Sequence, residues 1–163
     1  MSAFDEHVSR ADEQLTPELG TLPPAPSLAV AIVTCMDARL VPSTLFGLRP
    51  GDAHVIRNAG GIVGDEEIRS LAISQHLLGT REVIVVGHTK CGMMTFTDEE
   101  LAARLEREAG RRPPWPGRAF EDVDDSVRSS MRAVVESPFL PHRDSVRGFV
   151  AEVDEGRLRE VFL

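Results

Sequence analysis

Two uninterrupted apolar runs, Leu28-Ala29-Val30-Ala31-Ile32-Val33 and Val83-Ile84-Val85-Val86, constrain the fold of this chain most tightly. A strand with one wet face alternates apolar and polar residues, whereas a continuous run belongs to a strand covered on both faces, as in a parallel sheet. His54-Val55-Ile56-Arg57 reads as a further strand between them. Parallel neighbours need crossovers, and helical patterns fill the intervals. Asp65, Glu66 and Glu67 place acids in a first helical turn, where the macrodipole favours them. Ile68, Leu71, Ala72, Ile73, Leu77 and Leu78 follow, and Gly79 is the stop. Thr97-Asp98-Glu99-Glu100 has capping-box spacing for a helix to Ala109. Val123, Val127, Met131, Val134 and Val135 form a one-sided stripe that ends at Ser137-Pro138. Residues 146–153 and 158–162 read as two closing strands around the turn at Asp154-Glu155-Gly156. The alternation predicts an α/β fold: a mainly parallel central sheet flanked by helices on both faces.

The chain divides into an N-terminal arm, residues 1–27, and a single α/β domain, residues 28–163. Its 163 residues suit one hydrophobic core. Within the arm, Phe4, Val8, Ala11 and Leu15 recur at helical spacing, and Thr21-Leu22-Pro23-Pro24-Ala25-Pro26-Ser27 is a stiff extended segment. The apolar stripe of that short helix needs a cover. A partner subunit and the chain's own domain both qualify.

With 18 basic and 26 acidic residues the net charge is −8, which argues against nucleic-acid or anionic-membrane partners. No apolar run approaches the roughly 20 residues that span a bilayer. The N-terminus lacks the basic and apolar regions of a signal peptide, so the cytoplasm is the expected location. Two cysteines in a reducing compartment stay thiols, free for metal binding or catalysis.

Both cysteines follow the apolar runs. The first run leads into Cys35-Met36-Asp37-Ala38-Arg39 and the second into Gly87-His88-Thr89-Lys90-Cys91-Gly92. Cys35, Asp37, His88 and Cys91 are a four-ligand set for zinc, which takes thiolate, imidazole and carboxylate donors tetrahedrally. Open α/β sheets bind ligands at the carboxyl ends of their strands, and Cys35, Arg57-Asn58 and His88 each lie just past one. A single histidine or cysteine in apolar surroundings is usually a packing residue, and His7, His54, His76 and His142 read that way. Cys-x-Asp-x-Arg and His-x-x-Cys, each after a buried strand in one small domain, do not.

Cys35-Met36-Asp37-Ala38-Arg39, Arg57-Asn58-Ala59-Gly60 and Gly87-His88-Thr89-Lys90-Cys91-Gly92 resemble the signatures of the β-class carbonic anhydrases. The specific motifs run from about Leu28 to Gly92, and the order of elements to Leu163 is compatible. The resemblance implies one Zn²⁺ per chain, held by Cys35, His88 and Cys91, with Asp37 as fourth ligand in a closed state. It also implies an Asp37–Arg39 pair, a homodimer or higher homo-oligomer, and an arm that reaches over the partner. The implied activity is reversible hydration of CO₂ to bicarbonate and a proton. Zinc lowers the pKa of a bound water toward about 7, and the hydroxide attacks CO₂. Two thiolates donate more charge than three histidines would, so activity is expected to rise into the alkaline range. Asp37 on zinc closes the site; Asp37 on the fork of Arg39 frees the fourth position. These two residues are the expected gate.

Asn58, Gly60 and Gly61 are candidates for the substrate pocket, because glycine lets backbone N–H groups approach closely; a tight turn without substrate contact is the other reading. Arg57 reads as structural. Val63, Met93 and Met94 suit an apolar pocket or the core. His54 is the one candidate proton shuttle. Many members of the family carry a tyrosine near the pocket, and this chain has none, so pocket detail does not carry over. Two rival readings remain. Carbonyl sulfide and carbon disulfide are linear analogues that the same scaffold can hydrolyse, and a closed site would make a non-catalytic zinc or bicarbonate sensor.

Overall fold

A computed structural model describes residues 3–163; within its first helix, side-chain detail is confined to Phe4, His7, Val8, Arg10, Ala11 and Gln14. Five strands, β1 (Val30–Cys35), β2 (Ala53–Asn58), β3 (Glu82–His88), β4 (Val146–Glu152) and β5 (Arg157–Val161), form one sheet in the order β2-β1-β3-β4-β5. The first four are parallel, and β5 turns back antiparallel against β4. The helices are α1 (Ala3–Gln14), α2 (Pro42–Phe46), α3 (Asp65–Leu78), α4 (Asp98–Ala109) and α5 (Val123–Glu136).

The helix ends follow local chemistry. Thr97 caps α4 by accepting from the Glu100 N–H (3.2 Å) while the Glu100 carboxylate accepts from the Thr97 N–H (2.7 Å), the reciprocal box read from the sequence. Asp122 caps α5 by accepting from the Asp125 N–H at 2.9 Å. Gly79 closes α3 at φ 79°.

The expected two-sided burial takes an uneven form. On one face α3 and α5 bring Leu71, Val127, Met131 and Val134 onto Ala31, Val33, Val83, Val85 and Val150. The other face is covered by shorter pieces: Leu40, Phe46 of α2, Met93, Phe96 and Phe120 gather over Ile32, Val86 and Cys35. Loop side chains substitute for a helix layer there, because the chain between β3 and β4 must also build the site.

The apolar stripe of the arm is left exposed by its own domain at the described positions: Phe4 is 75 % and Leu15, just past α1, 67 % exposed, and Val8 is exposed too. The end of the arm is tied down instead. Ser27 and Leu28 donate backbone N–H groups to Gly51 and Asp52 at 2.8 and 3.0 Å. Residues 1 and 2 of the arm lie outside the described residues. No helix among those described is long and apolar enough to cross a membrane.

The register fixes where the chemistry falls. β1 has β2 on one side and β3 on the other, so the chain reverses its direction of travel across the sheet at β1. The crevice outside the carboxyl ends of β1 and β3 is the switch point where open α/β sheets bind ligands. Cys35 ends β1, opposite Asn58 at the end of β2, and His88 ends β3. Gly61 lets these ends close together. It adopts φ 66°, and a Cβ there would stand 2.8 Å from the Cys35 nitrogen and 2.9 Å from the Val86 carbonyl oxygen. Backbone cannot yield as a side-chain tip can. Gly61→Ala is therefore expected to cost about 2–5 kcal/mol, combining left-handed strain with overpacking. Urea unfolding checks it, and a wild-type midpoint would contradict this packing.

Candidate metal centre

Among the described residues, one group of histidine, cysteine and acidic side chains is close enough to hold a metal ion: Cys35, His88 and Cys91, with donor atoms all within 4.8 Å of one another. All three are buried, His88 completely. Two strand ends and the loop that follows β3 bring them together. Cys35 and His88 arrive on parallel neighbours, and Cys91 returns to them after the turn at Thr89-Lys90.

Hydrogen bonds orient the donors. His88 Nδ1 lies 3.0 Å from the Thr89 carbonyl. A carbonyl only accepts, so Nδ1 carries the proton and Nε2 presents a lone pair to the sulfurs. That Nε2 is buried and has no partner. An imidazole fixed through one nitrogen by a carbonyl, with the other left bare, is the usual arrangement of a metal-ligating histidine.

The two sulfurs are 3.9 Å apart, and two sulfurs at about 2.3 Å from a tetrahedral zinc would stand about 3.8 Å apart. The residues present therefore fit zinc. The Cys91 thiol holds Cys35 down as a thiolate, helped by His88 and by the N–H groups of Asp37 and Gly60. Cys91 is pushed up by the same contact and by burial. At His88 burial opposes the charged ring, but the Cys35 sulfur, the Thr89 carbonyl and the Asp37 carboxylate outweigh it and raise the pKa. Such surroundings favour positive charge at their centre.

Asp37 stands at the edge of this group and is not a member of it. Its Oδ2 lies 3.8 Å from His88 Nε2. The carboxylate is held by Arg39, with Nε donating to Oδ1 at 2.9 Å and Nη2 to Oδ2 at 2.7 Å; the Arg39 backbone N–H adds a third bond at 2.9 Å. These bonds, the side-chain pair first, hold the Asp37 carboxyl well below the usual carboxylate range. Arg39 Nη2 also donates to the Lys90 carbonyl at 3.0 Å. Lys90 sits in the left-handed region at φ 55°, which costs a non-glycine residue free energy and turns that carbonyl toward the guanidinium.

A cavity of ≈ 310 Å³ opens beside the donors, lined by Cys35, Met36, Asp37, Ala59, Gly60, Cys91, Gly92, Met93, Thr95 and Phe96. Of the three pocket residues expected from sequence, Gly60 lines it. Asn58 turns into its own loop, donating to the Ile62 carbonyl at 2.6 Å and accepting from the Ile62 N–H at 3.0 Å. Gly61 supports the strand ends from beneath. Val63 belongs to the core, Met93 lines the cavity and Met94 faces outward. His54 lies at the amino end of β2, away from the site, where its ring bonds Ser74 (2.7 Å) and the Pro24 carbonyl (3.0 Å). Sequence reasoning missed Lys90, whose contribution is a carbonyl, and Met36, Ala59 and Phe96, which carry no chemical signature; a left-handed residue between two ligands is not visible in a motif.

The carbonic anhydrase family profile matches residues 30–128, more than half of the chain. Beta-carbonic anhydrase 1 of Mycobacterium tuberculosis (strain ATCC 25618 / H37Rv) is 46% identical over 161 residues, covering 99% of each protein. The crystal structure of a carbonic anhydrase from Streptococcus mutans superposes with a TM-score of 0.88 at 41% identity, covering 99% of each chain. A carbon disulfide hydrolase of Acidianus sp. (strain A1-3) is 34% identical over 153 residues, 79% of this chain and 75% of that protein. With identity at this level from end to end and the same fold, the chain belongs to the β-class carbonic anhydrases and is an enzyme of that family.

Proposed function

We propose that this enzyme hydrates CO₂ reversibly to bicarbonate and a proton, at a zinc ion held by Cys35, His88 and Cys91. The observation that carries the reading is the bare, buried Nε2 of His88 facing two sulfurs. Bound there, zinc supplies a Lewis acid that lowers the pKa of a coordinated water toward about 7. The chain's own residues do the rest. Thr89 fixes the imidazole, and Arg39, braced on Lys90, holds Asp37 off the three donors. In that position the Asp37 carboxylate can accept a hydrogen bond from a water and orient its oxygen. Turned the other way, Asp37 would close the fourth metal position, so the Asp37–Arg39 pair is the proposed gate. Met36, Ala59, Met93 and Phe96 suit an uncharged linear substrate, and they offer bicarbonate no counter-charge, which favours its departure.

The domain division and assembly belong to the same proposal. Residues 28–163 form the catalytic domain, and the arm, residues 1–27, lays the exposed stripe of Phe4, Val8 and Leu15 on a second copy. Thiolate donors suit a reducing cytoplasm. Sedimentation equilibrium tests the assembly: a dimer or larger oligomer is expected, and Leu15→Asp should weaken it, whereas a monomeric wild type would contradict it.

The metal reading has a pH signature. Without metal, Cys91 holds its proton more tightly than usual, and zinc must displace it. Zinc affinity therefore rises with pH, by up to about tenfold per pH unit for each proton displaced. Competition titration against a chelator between pH 6 and 8 checks this, and a flat profile would contradict it.

Stopped-flow CO₂ hydration, with zinc assayed in parallel, tests the activity. One zinc per chain and a rate that climbs with pH are expected. Arg39→Ala should keep its zinc and lose at least about tenfold in rate, or about 1.4 kcal/mol of transition-state stabilisation; wild-type rates would remove the gate. The carbon disulfide hydrolase similarity supports a second reading, in which a sulfur-containing analogue is the better substrate. Faster turnover of carbonyl sulfide or carbon disulfide than of CO₂ would favour it. Full zinc with no turnover of any of them would leave a non-catalytic zinc or bicarbonate-sensing module.

A further inference from the structure

We propose that Arg57 is a positioning residue for the metal-facing loop: its guanidinium, bound to the carbonyls of Cys35 and Asp37, fixes the direction in which Asp37 presents its carboxylate. The inference rests on the zinc reading of Cys35, His88 and Cys91.

Arg57 sits near the end of β2, in register with Thr34 of β1. Its side chain reaches past the end of β1. Nε donates to the Cys35 carbonyl at 3.1 Å and Nη2 to the Asp37 carbonyl at 2.8 Å. A guanidinium is a rigid planar fork, so one side chain fixes the two peptide planes that flank Met36-Asp37. Two backbone bonds complete the clamp: the Met36 N–H donates to the Asn58 carbonyl at 2.7 Å, and the Leu40 N–H to the Asp37 carbonyl at 3.0 Å. With the backbone held on both sides, Asp37 retains its side-chain torsions alone. Those torsions carry the carboxylate between Arg39 and the three donors.

Arg57 has no carboxylate partner among the described residues, in a chain with 26 acidic side chains. Its hydrogen bonds go to two carbonyls of the loop that bears a sulfur donor and the proposed gate. Arg39 controls Asp37 from the front, through the carboxylate. Arg57 controls it from behind, through the main chain. A lysine offers a point charge rather than a fork and cannot hold both carbonyls in one geometry.

The test compares Arg57→Gln and Arg57→Lys with the full wild-type chain by amide hydrogen exchange on metal-free protein, and by the visible spectrum of the cobalt(II)-loaded form. Cobalt(II) reports its own coordination, independently of turnover. In Arg57→Gln the amides of residues 36–40 are expected to exchange at least about tenfold faster, a loss of about 1.4 kcal/mol of local protection, with β1 and β3 unchanged. The Arg39 amide reports the carboxylate directly, because it donates to Asp37 Oδ1. The cobalt spectrum should shift at unchanged metal content, and Arg57→Lys, which keeps the charge and should fold if Gln does not, should fall between. Wild-type exchange at residues 36–40 overturns the proposal. So does faster exchange throughout the sheet, which would make Arg57 a general brace of the fold. If the wild type binds no cobalt, the metal reading fails on its own, and the exchange comparison still decides the role of Arg57.

Discussion

The Nε2 lone pair of His88 is buried against two sulfurs with no donor to satisfy it, and a buried polar atom in that condition costs about 1–3 kcal/mol. The fold does not relieve this; it enforces it. The Thr89 carbonyl accepts a hydrogen bond from the other ring nitrogen, Asp37 and Gly60 turn backbone N–H groups toward the Cys35 sulfur, and Asp37 is held back by Arg39. An electron-rich centre assembled at such cost is explained by a cation. Zinc would supply the missing charge, and its tetrahedral geometry matches the spacing of the sulfurs.

That centre depends in turn on the parallel register. Side chains from β1 and β3 can converge because both strands end at one edge, and because the crossover between them reverses at β1. Gly61 brings backbone to within contact of Cys35 and Val86. A larger residue would separate the donors before any chemistry was possible. The two arginines then divide the work on Asp37. Arg39 holds the carboxylate, while Arg57 holds the carbonyls on either side of it. The account thus places motion in one side chain and rigidity in everything around it.

Much of this was legible in the sequence, for definite reasons. Continuous apolar runs announced strands buried on both faces, and Asp65-Glu66-Glu67 and Thr97-Asp98-Glu99-Glu100 announced helix starts through capping and dipole chemistry. Cys35, His88 and Cys91 could be grouped, with Asp37, because Cys-x-Asp-x-Arg and His-x-x-Cys each follow a buried strand in one small domain. What stayed hidden was carried by main-chain atoms and by shape. The Lys90 carbonyl acts through a left-handed backbone, and Arg57 acts on carbonyls, so neither role is written in a side-chain pattern. Asn58 stood with Gly60 and Gly61 as a pocket candidate, with a tight turn as the other reading, and its amide closes its own turn. The uneven cover of the sheet was equally hidden, since Phe96 and Phe120 lie in stretches without periodicity.

The most direct test of the central claim is X-ray absorption at the zinc edge of the purified enzyme. The account predicts two sulfur scatterers at about 2.3 Å and one imidazole nitrogen at about 2.0–2.1 Å, with a single oxygen completing a tetrahedron. A zinc ion surrounded by nitrogen and oxygen alone would place the metal elsewhere. That result would contradict the reading of Cys35, His88 and Cys91 as the centre on which the enzyme is built.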